Sequence, residues 1–168
     1  MPLVMNMKLQ GITGDSRSFN HKGWSEVLSW NYGMTSNRKL PHENGSEKTS
    51  LNELSFVKLI GTDSPILRLF YAQGKIIPNA EFSIMPAVSQ RETPTKYLHL
   101  VMEKVLIKSV ITGGQSDENS FKEHVTLLFD RIRFEFSKTI PAASTGGAAT
   151  TENFDFSWNI AGDEEWKV

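Results

Sequence analysis

The 168-residue sequence contains no cysteine. A chain without cysteine can form neither disulfide bonds nor thiolate sites. The sequence also lacks a run of about 20 apolar residues, the length that a membrane-spanning helix requires. Its amino terminus has neither the basic region nor the long apolar stretch of a signal peptide. We therefore expect a protein that begins in the cytoplasm, does not insert into membranes and has no cleaved signal.

The sequence also has no large excess of positive or negative charge, since its formal net charge is −1 at pH 7. Such a balance gives no general attraction to nucleic acid or to an anionic membrane surface. The basic run Asn37-Arg38-Lys39 is a short exception, and a solvated loop explains it better than a binding site does. We expect no nucleic-acid partner.

Motifs for catalysis and for cofactor binding are absent as well. No glycine-rich loop sits between a strand and a helix to hold a phosphate, and no Gly-x-Ser-x-Gly elbow presents a nucleophile. The four histidines, His21, His42, His99 and His124, lack the spacing of metal ligands. The sequence therefore predicts a protein that is not an enzyme and that binds neither a cofactor nor a metal.

Alternation of apolar and polar residues is the main signal that the sequence does carry. It predicts strands within residues 3–9, 24–32, 51–60, 80–84, 98–107, 125–136 and 154–160. About seven strands and one helix, without an internal repeat, indicate a single mainly β domain over residues 1–168. We expect a two-sheet antiparallel β-barrel or sandwich with one flanking α-helix.

The aromatic stretch 24–32 is predicted to be one strand with its large side chains on the core face. The side chains placed on that face by period two are Trp24, Leu28, Trp30 and Tyr32. Ser25, Ser29 and Asn31 fall on the opposite face, and only Glu26 and Val27 break the alternation. This strand should therefore contribute to the core.

One helix is predicted from Ser64 to Gly74. Ser64 suits the N-cap, Pro65 suits the first turn, and Gly74 suits the residue after the last turn. The apolar face is expected to consist of Ile66, Leu69, Phe70 and Gln73, widened by Leu67. Such a short helix can close or flank a barrel.

Two apolar stretches, 98–107 and 125–136, change their alternation phase midway. A one-residue shift exchanges the two faces of a strand, so each stretch should bend, bulge or change sheets. Strands such as 51–60 also carry apolar residues on both faces. Val57, Leu59 and Val101 are therefore candidates for contact with another copy of the chain or for burial under the helix.

Two polar stretches connect the predicted strands. Residues 34–50 form a connection that is longer than a hairpin needs, which is typical of either a functional arm or a mobile surface loop. Residues 140–153 are rich in Pro, Ala, Ser, Thr and Gly and are expected to be a mobile linker. The acidic run Asp163-Glu164-Glu165 is expected to be a solvated tail.

Short segments along nearly the whole chain resemble one bacterial family. They are Gly14-Asp15-Ser16, His21-Lys22-Gly23-Trp24-Ser25-Glu26-Val27-Leu28-Ser29-Trp30, Leu54-Ser55-Phe56-Val57-Lys58, Ser64-Pro65, Tyr97-Leu98, Val105-Leu106-Ile107, Thr112-Gly113-Gly114, Val125-Thr126-Leu127 and Trp158-Asn159-Ile160. In this order they resemble the haemolysin-coregulated protein (Hcp) family, which forms the inner tube of the type VI secretion system.

The resemblance implies a structural protein whose hexameric rings stack into a tube that a contractile sheath propels. The implied partners are further copies of the chain, a spike protein, the sheath and effector proteins in the lumen, and the protein would be secreted without a cleaved signal. It also implies that the polar stretch is an arm reaching the next ring, with the candidate contacts Thr35, Asn37, Arg38, Lys39, Leu40, His42, Glu43, Glu47 and Lys48. We expect a polar lumen, with the turn Thr112, Gly113, Gly114 and Gln115 as a candidate contributor.

Three other functions remain open at this stage. A free β-sandwich could use Trp24 and Tyr32 to bind a sugar or a peptide, because exposed aromatic rings suit both ligands. A small β-barrel hydrolase is possible, since catalytic triads assemble in space rather than in sequence. A phage-type tail tube protein is a structural relative of the leading hypothesis.

Overall fold

The computed structural model describes residues 2–35, 50–51, 53–87, 97–140 and 147–167. In these residues it contains twelve strands, all paired antiparallel, and one helix. The elements are β1 (Leu3–Leu9), β2 (Ser25–Glu26), β3 (Ser29–Asn31), β4 (Met34–Thr35), β5 (Ser50–Leu51), β6 (Leu54–Leu59), α1 (Ser64–Gln73), β7 (Ile77–Pro86), β8 (Leu98–Gly113), β9 (Lys122–Leu128), β10 (Arg131–Ile140), β11 (Thr150–Asn159) and β12 (Glu164–Glu165). The predicted mainly β class with one helix is confirmed, although the strands are more numerous than about seven.

Two sheets share the long strand β8 and enclose the core. Sheet A has the strand order β12-β11-β10-β8-β7-β1-β2, and sheet B has the order β3-β6-β9-β8. The first half of β8 pairs with β7 and β10, and its second half pairs with β9. A bulge between Ile107 and Ser109 lies in that second half. The phase change predicted in residues 98–107 is therefore a change of sheets.

The second phase change, in residues 125–136, is also a passage between sheets. β9 belongs to sheet B, and β10 begins in sheet A after the two residues Phe129 and Asp130. The Asp130 amide donates to the Glu103 carbonyl of β8, 3.1 Å away. Two residues between strands are enough to reverse which alternate positions face the core.

A third corner closes the barrel at Val27 and Leu28. The Val27 amide donates to Met5 of β1 at 2.9 Å, and the Leu28 amide donates to Val57 of β6 at 2.7 Å. Consecutive residues are thus bonded to different sheets. Val27 is 6% exposed and Leu28 is 46% exposed. The predicted single strand with Leu28 on the core face is therefore wrong, because the chain turns a corner where the alternation breaks.

The helix keeps its predicted ends but turns a different face to the barrel. Asp63 occupies the N-cap position, so Ser64 is the first helical residue rather than the cap. Gly74 ends the helix in the left-handed region, with φ +58°. Leu67 and Phe70 are buried, whereas Ile66 and Leu69 of the predicted apolar face are exposed. The shift corrects the prediction, since a short helix packs one narrow stripe against a barrel.

The predicted linker and tail are also shorter than the sequence suggests. Residues 137–140 pair with residues 150–153, so β10 and β11 extend into the predicted linker. Its residues 141–146 lie outside the described part of the chain. Glu164 and Glu165 pair with β11 as β12, although their side chains are exposed. Backbone pairing thus replaces the tail expected from composition.

The core lies between the two sheets and under the helix. Its fully buried large side chains include Met7, Leu54, Phe56, Leu67, Ile77, Phe82, Leu100, Met102, Leu127 and Ile132. Trp30 packs edge-on against Phe82, with ring centroids 5.3 Å apart. This close packing fixes the orientation of both sheets and of the surfaces on them.

Candidate functional site

Three charged side chains are buried where α1 begins. The side chains of Lys58, Asp63 and Glu123 are 4%, 2% and 0% exposed. Lys58 Nζ lies 2.8 Å from Asp63 Oδ1 and 3.2 Å from Glu123 Oε2. Lys58 and Glu123 are cross-strand partners on β6 and β9, both at positions that face inward. Each charge needs the others, because an unpaired ion in a protein interior is strongly destabilising.

Hydroxyl and guanidinium groups complete this network and tie the helix to the barrel. The Ser64 hydroxyl donates to Glu123 Oε2 at 2.8 Å and accepts from the Gly61 amide at 3.0 Å. Arg68 bridges Glu123 to the Thr112 hydroxyl at the end of β8. The Ser25 hydroxyl of β2 donates to Asp63. The network therefore joins both sheets to the first turn of α1.

Two carboxylates in this region, Glu123 and Asp15, have lowered pKa values. Burial acts to raise the pKa of Glu123, but hydrogen bonds from Ser64, Lys58 and Arg68 and the charge of Lys58 outweigh it and lower that pKa. The two hydrogen bonds from Thr62 lower the pKa of Asp15, a residue of the loop before β2. Neither group is placed to exchange a proton near neutral pH, which is typical of a structural network rather than of a catalytic one.

A cavity of about 180 Å³ opens beside the network. Its polar floor contains Lys58 and Asp63, and its lip carries the exposed apolar side chains Leu28, Leu59 and Ile60. A side chain at Gly61 would collide with Asp15, because an added Cβ would lie 2.3 Å from Asp15 Oδ2. The exposed Leu28, Leu59 and Ile60 form an apolar rim outside the core.

The turn Thr112–Gln115 lies close to the same end of the barrel. Thr112 and Gly113 end β8, and Gly114 and Gln115 begin its connection to β9. All four residues are exposed. Gly114 contacts the ring of Phe121, and an added Cβ there would lie 2.5 Å from that ring. Through Arg68, Thr112 is connected to the buried charges under α1.

The ends of the predicted arm are held side by side. β4 and β5 pair antiparallel, with Met34 opposite Leu51 and Thr35 opposite Ser50. Of the candidate arm contacts, only Thr35 is described. Asn37, Arg38, Lys39, Leu40, His42, Glu43, Glu47 and Lys48 lie outside the described residues.

The outer face of sheet B carries both polar and apolar side chains and forms a shallow depression of about 490 Å³. It is lined by Ser29, Trp30, Asn31, Ser55, Phe56, Val57, Ile111, His124 and Thr126. The Ser55 and Thr126 hydroxyls lie 3.1 Å apart. Among the candidates for contact with another copy, Val57 and Val101 are half-buried and Leu59 is exposed.

The aromatic residues proposed for sugar or peptide binding do not share a platform. Trp24 is half-buried, edge-on to His21 with ring centroids 4.6 Å apart. Tyr32 packs near Phe129, and burial raises the pKa of the Tyr32 hydroxyl to about 12. Trp30 and Tyr32 pack against the core, and Trp24 adjoins β2 in sheet A. Their positions favour packing over ligand binding.

Within the described residues, no three His, Asp or Glu side chains are grouped closely enough to hold a metal ion. The helix in that part of the chain is too short to span a membrane.

Sequence reasoning missed the buried charges, although a signal for them exists. Lys58 has the same strand parity as the buried Leu54 and Phe56, and Glu123 has the parity of the buried Val125 and Leu127. One lysine and one carboxylate at core positions of different strands indicate a buried pair, since buried charges are nearly always paired. Only the pairing of β6 with β9 brings the two together.

Comparison with known proteins gives consistent matches along most of the chain. Residues 6–136 match the family described as "Type VI secretion system effector, Hcp". "Protein hcp1" of Pseudomonas aeruginosa is 29% identical over 163 residues, which cover 95% of this chain and 96% of that protein.

Solved structures share the fold. The crystal structure of Hcp1 from Salmonella typhimurium superposes with a TM-score of 0.74 at 23% identity, covering 98% of this chain and 100% of that one. A type VI secretion system effector from Yersinia pestis gives a TM-score of 0.63 at 24% identity, covering 90% and 98%. A further structure, of a type six secretion system protein, gives a TM-score of 0.79 at 18% identity, covering 98% and 100%.

Proposed function

The chain belongs to the Hcp family of type VI secretion proteins, and we propose that six copies form a ring whose stacks build the secretion tube. As a family member it is a subunit of that tube, and members of the family form hexameric rings in it. A ring of one protein requires a head-to-tail contact in which two different surfaces of each copy meet. The function is therefore self-association around a channel.

The paired base of the arm is the observation that carries the stacking proposal. Because β4 and β5 hold residues 35 and 50 side by side, the intervening segment leaves from and returns to one place. We assign it to the contact between rings, with Leu40 as its buried point, since Leu40-Pro41 is its only apolar pair. The apolar rim of Leu28, Leu59 and Ile60 is the surface that suits Leu40 on the next ring.

Cysteine cross-linking tests this contact, since the chain has no cysteine of its own. A Leu40→Cys, Ile60→Cys variant should form ladders larger than one ring on oxidation. Ile60 is preferable to Gly61 because a side chain at Gly61 would collide with Asp15. A Leu40→Cys, Ile111→Cys variant is the control, because Ile111 is an exposed residue of sheet B and outside the apolar rim. Cross-links confined to the mass of one ring would contradict the assignment.

Deletion of Asn37–Lys48 separates stacking from ring formation. The rings should survive, and tube growth and secretion should fail. Light scattering and electron microscopy report the two outcomes independently. Monomers after the deletion would place the arm in the ring interface instead.

We assign the channel wall to the outer face of sheet B. Its small polar residues Ser29, Asn31, Ser55 and Thr126 suit a hydrated surface along which a protein cargo can move. The turn Thr112–Gln115 ends the β8–β9 hairpin of that sheet and would lie at its rim. A Gln115→Trp variant should lose effector co-purification while its rings keep their size. Rings that retain the effector normally would remove this turn from the cargo surface.

The remaining partners follow from the same proposal. A spike protein, a contractile sheath and effector proteins would contact the tube, and the protein would leave the cytoplasm through this machine. The tube role is structural, not enzymatic. The sugar-binding alternative is not favoured because Trp24 and Tyr32 do not form a common exposed surface. The family match favours a secretion tube over a phage tail tube.

A further inference from the structure

The apolar face of sheet A continues beyond the part of it that is buried. One row across the sheet consists of Phe82, Leu100, Phe134 and Phe156, each in register with the next. Phe82 and Leu100 are fully buried, Phe134 is half-buried and Phe156 is 37% exposed. In the neighbouring row, Phe154 is 54% exposed. These core-facing positions thus become accessible toward β11.

The outer edge of β11 is free over most of its length in the described part of the chain. β12 pairs only with Trp158 and Asn159, and the Trp166 amide adds one bond to the Ser157 carbonyl. Residues 150–156 have no strand on their outer side among the described residues. A free edge with exposed aromatic side chains is a surface that proteins normally cover.

This end of sheet A is acidic. Residues 150–167 contain five carboxylates and one lysine. The carboxylates, all exposed, are Glu152, Asp155, Asp163, Glu164 and Glu165. We call this surface, together with Phe154 and Phe156, the acidic end.

The opposite end of sheet A is basic. Lys8 of β1 and Arg17 and Lys22 of the loop between β1 and β2 are exposed. Two exposed carboxylates accompany these three cations: Asp15, which is bonded to Thr62, and Glu26 of β2. The cations outnumber them, so this end has the opposite sign of charge to the acidic end. We call the surface of Lys8, Arg17 and Lys22 the basic end.

The loop that carries most of the basic end has a defined backbone. The Gly14 amide donates to Gly23 at 2.7 Å, and the Ser16 amide donates to Trp24 at 2.8 Å. These bonds hold the two sides of the loop together next to β2. The ring of Phe19 at its tip is 76% exposed and could cover apolar surface on a partner.

We propose that the acidic end of one copy docks on the basic end of the next copy around the ring. This inference rests on the ring proposed above and names the two surfaces that meet in it. Opposite charges at the two ends of one sheet favour a head-to-tail contact, whereas two acidic ends or two basic ends repel each other. The aromatic side chains of β11 are buried in this contact, and the charges select its partner.

Paired charge reversals test the inference. Glu152→Lys, Glu164→Lys, Glu165→Lys makes the acidic end basic, because four lysines then face two remaining carboxylates. Arg17→Glu, Lys22→Glu makes the basic end acidic. Each variant alone should dissociate from rings at a protein concentration at least about tenfold higher than the wild type, because like charges then meet. An equimolar mixture should regain rings in which the two variants alternate, with three copies of each in the native mass spectrum of a hexamer.

A second variant tests the apolar part of the contact. Phe154→Ser, Phe156→Ser should weaken ring formation by a similar factor, while Ile76→Ser, at an exposed residue between α1 and β7, should not. Thermal melts of all variants at low concentration establish that the subunits remain folded. Rings of unchanged stability in the charge-reversed variants, or no recovery on mixing, would overturn the inference and leave the ring itself intact. A wild-type chain that stays monomeric at tens of micromolar would instead refute the proposed function.

Discussion

The buried charge network makes a quantitative prediction about Lys58. Lys58→Met removes the cation between Asp63 and Glu123, whose side chains are 2% and 0% exposed. Leaving a buried carboxylate without its partner lowers the free energy of unfolding by about 3–5 kcal/mol. Single domains are stable by only about 5–15 kcal/mol, so the loss is a large part of the total.

Urea denaturation measures this loss directly. With a slope of about 2 kcal/mol per molar urea, the midpoint should fall by about 2 M. Wild type and variant are compared at one protein concentration, because assembly adds to apparent stability. Lys122→Met is the matched control, since it removes an exposed pair with Glu118 and should cost less than about 1 kcal/mol.

A double variant tests whether the lost stability is electrostatic. Adding Asp63→Asn to Lys58→Met should restore part of the lost stability, because it removes the carboxylate that loses its cation, whereas Glu123 keeps its pair with Arg68. A double variant less stable than Lys58→Met would show that the loss comes from packing. A Lys58→Met variant as stable as the Lys122→Met control would refute the reasoning entirely.

Three further predictions concern acid, the core and the helix end. The pKa of Glu123 is lower in the folded state than the ordinary 4.5, so its contribution to stability is complete above pH 4.5 and is lost as the pH falls through the folded value. In urea titrations at pH 7, 5 and 3, the free energy of unfolding of Glu123→Gln should therefore fall less with decreasing pH than that of the wild type. An equal fall in both proteins would contradict this prediction. Trp30→Ala should lower the free energy of unfolding by about 3 kcal/mol, whereas the exposed Ser29→Ala should have almost no effect in the same assay, and equal effects would mean that the strand faces are reversed. Gly74→Ala should cost about 1–2 kcal/mol in thermal melts because Gly74 has a positive φ, and a silent change there would contradict the assigned helix end.

Local sequence patterns were sufficient to predict the elements that depend on the backbone preferences and the alternation of neighbouring residues. The alternation of Leu3 to Leu9 predicted β1, and that of Ala80 to Ile84 predicted the centre of β7. Pro65 and Gly74 located the helix, since their backbone preferences are intrinsic. The two phase changes predicted a bend, a bulge or a change of sheets, because alternation follows from backbone geometry. The structure shows that both are changes of sheets. Ordered matches along the chain identified the family.

Alternation could not predict which side chains become covered. Leu28 obeyed the alternation of Trp30 and is nevertheless exposed, because the backbone turns between Met5 and Val57 at that point. Phe154 and Phe156 have the pattern of core residues and lie at an accessible edge instead.

The sequence by itself determined most of the long strands, the helix, the absence of thiol chemistry and the family. Only the tertiary structure decided that Lys58 and Glu123 form a buried pair, that Leu28 lies outside the core, and that the two ends of sheet A carry opposite charges. Secondary structure and family motifs depend on residues near one another in the chain. Burial and charge pairing depend on which strands become neighbours, and that is set by the packing of the whole barrel.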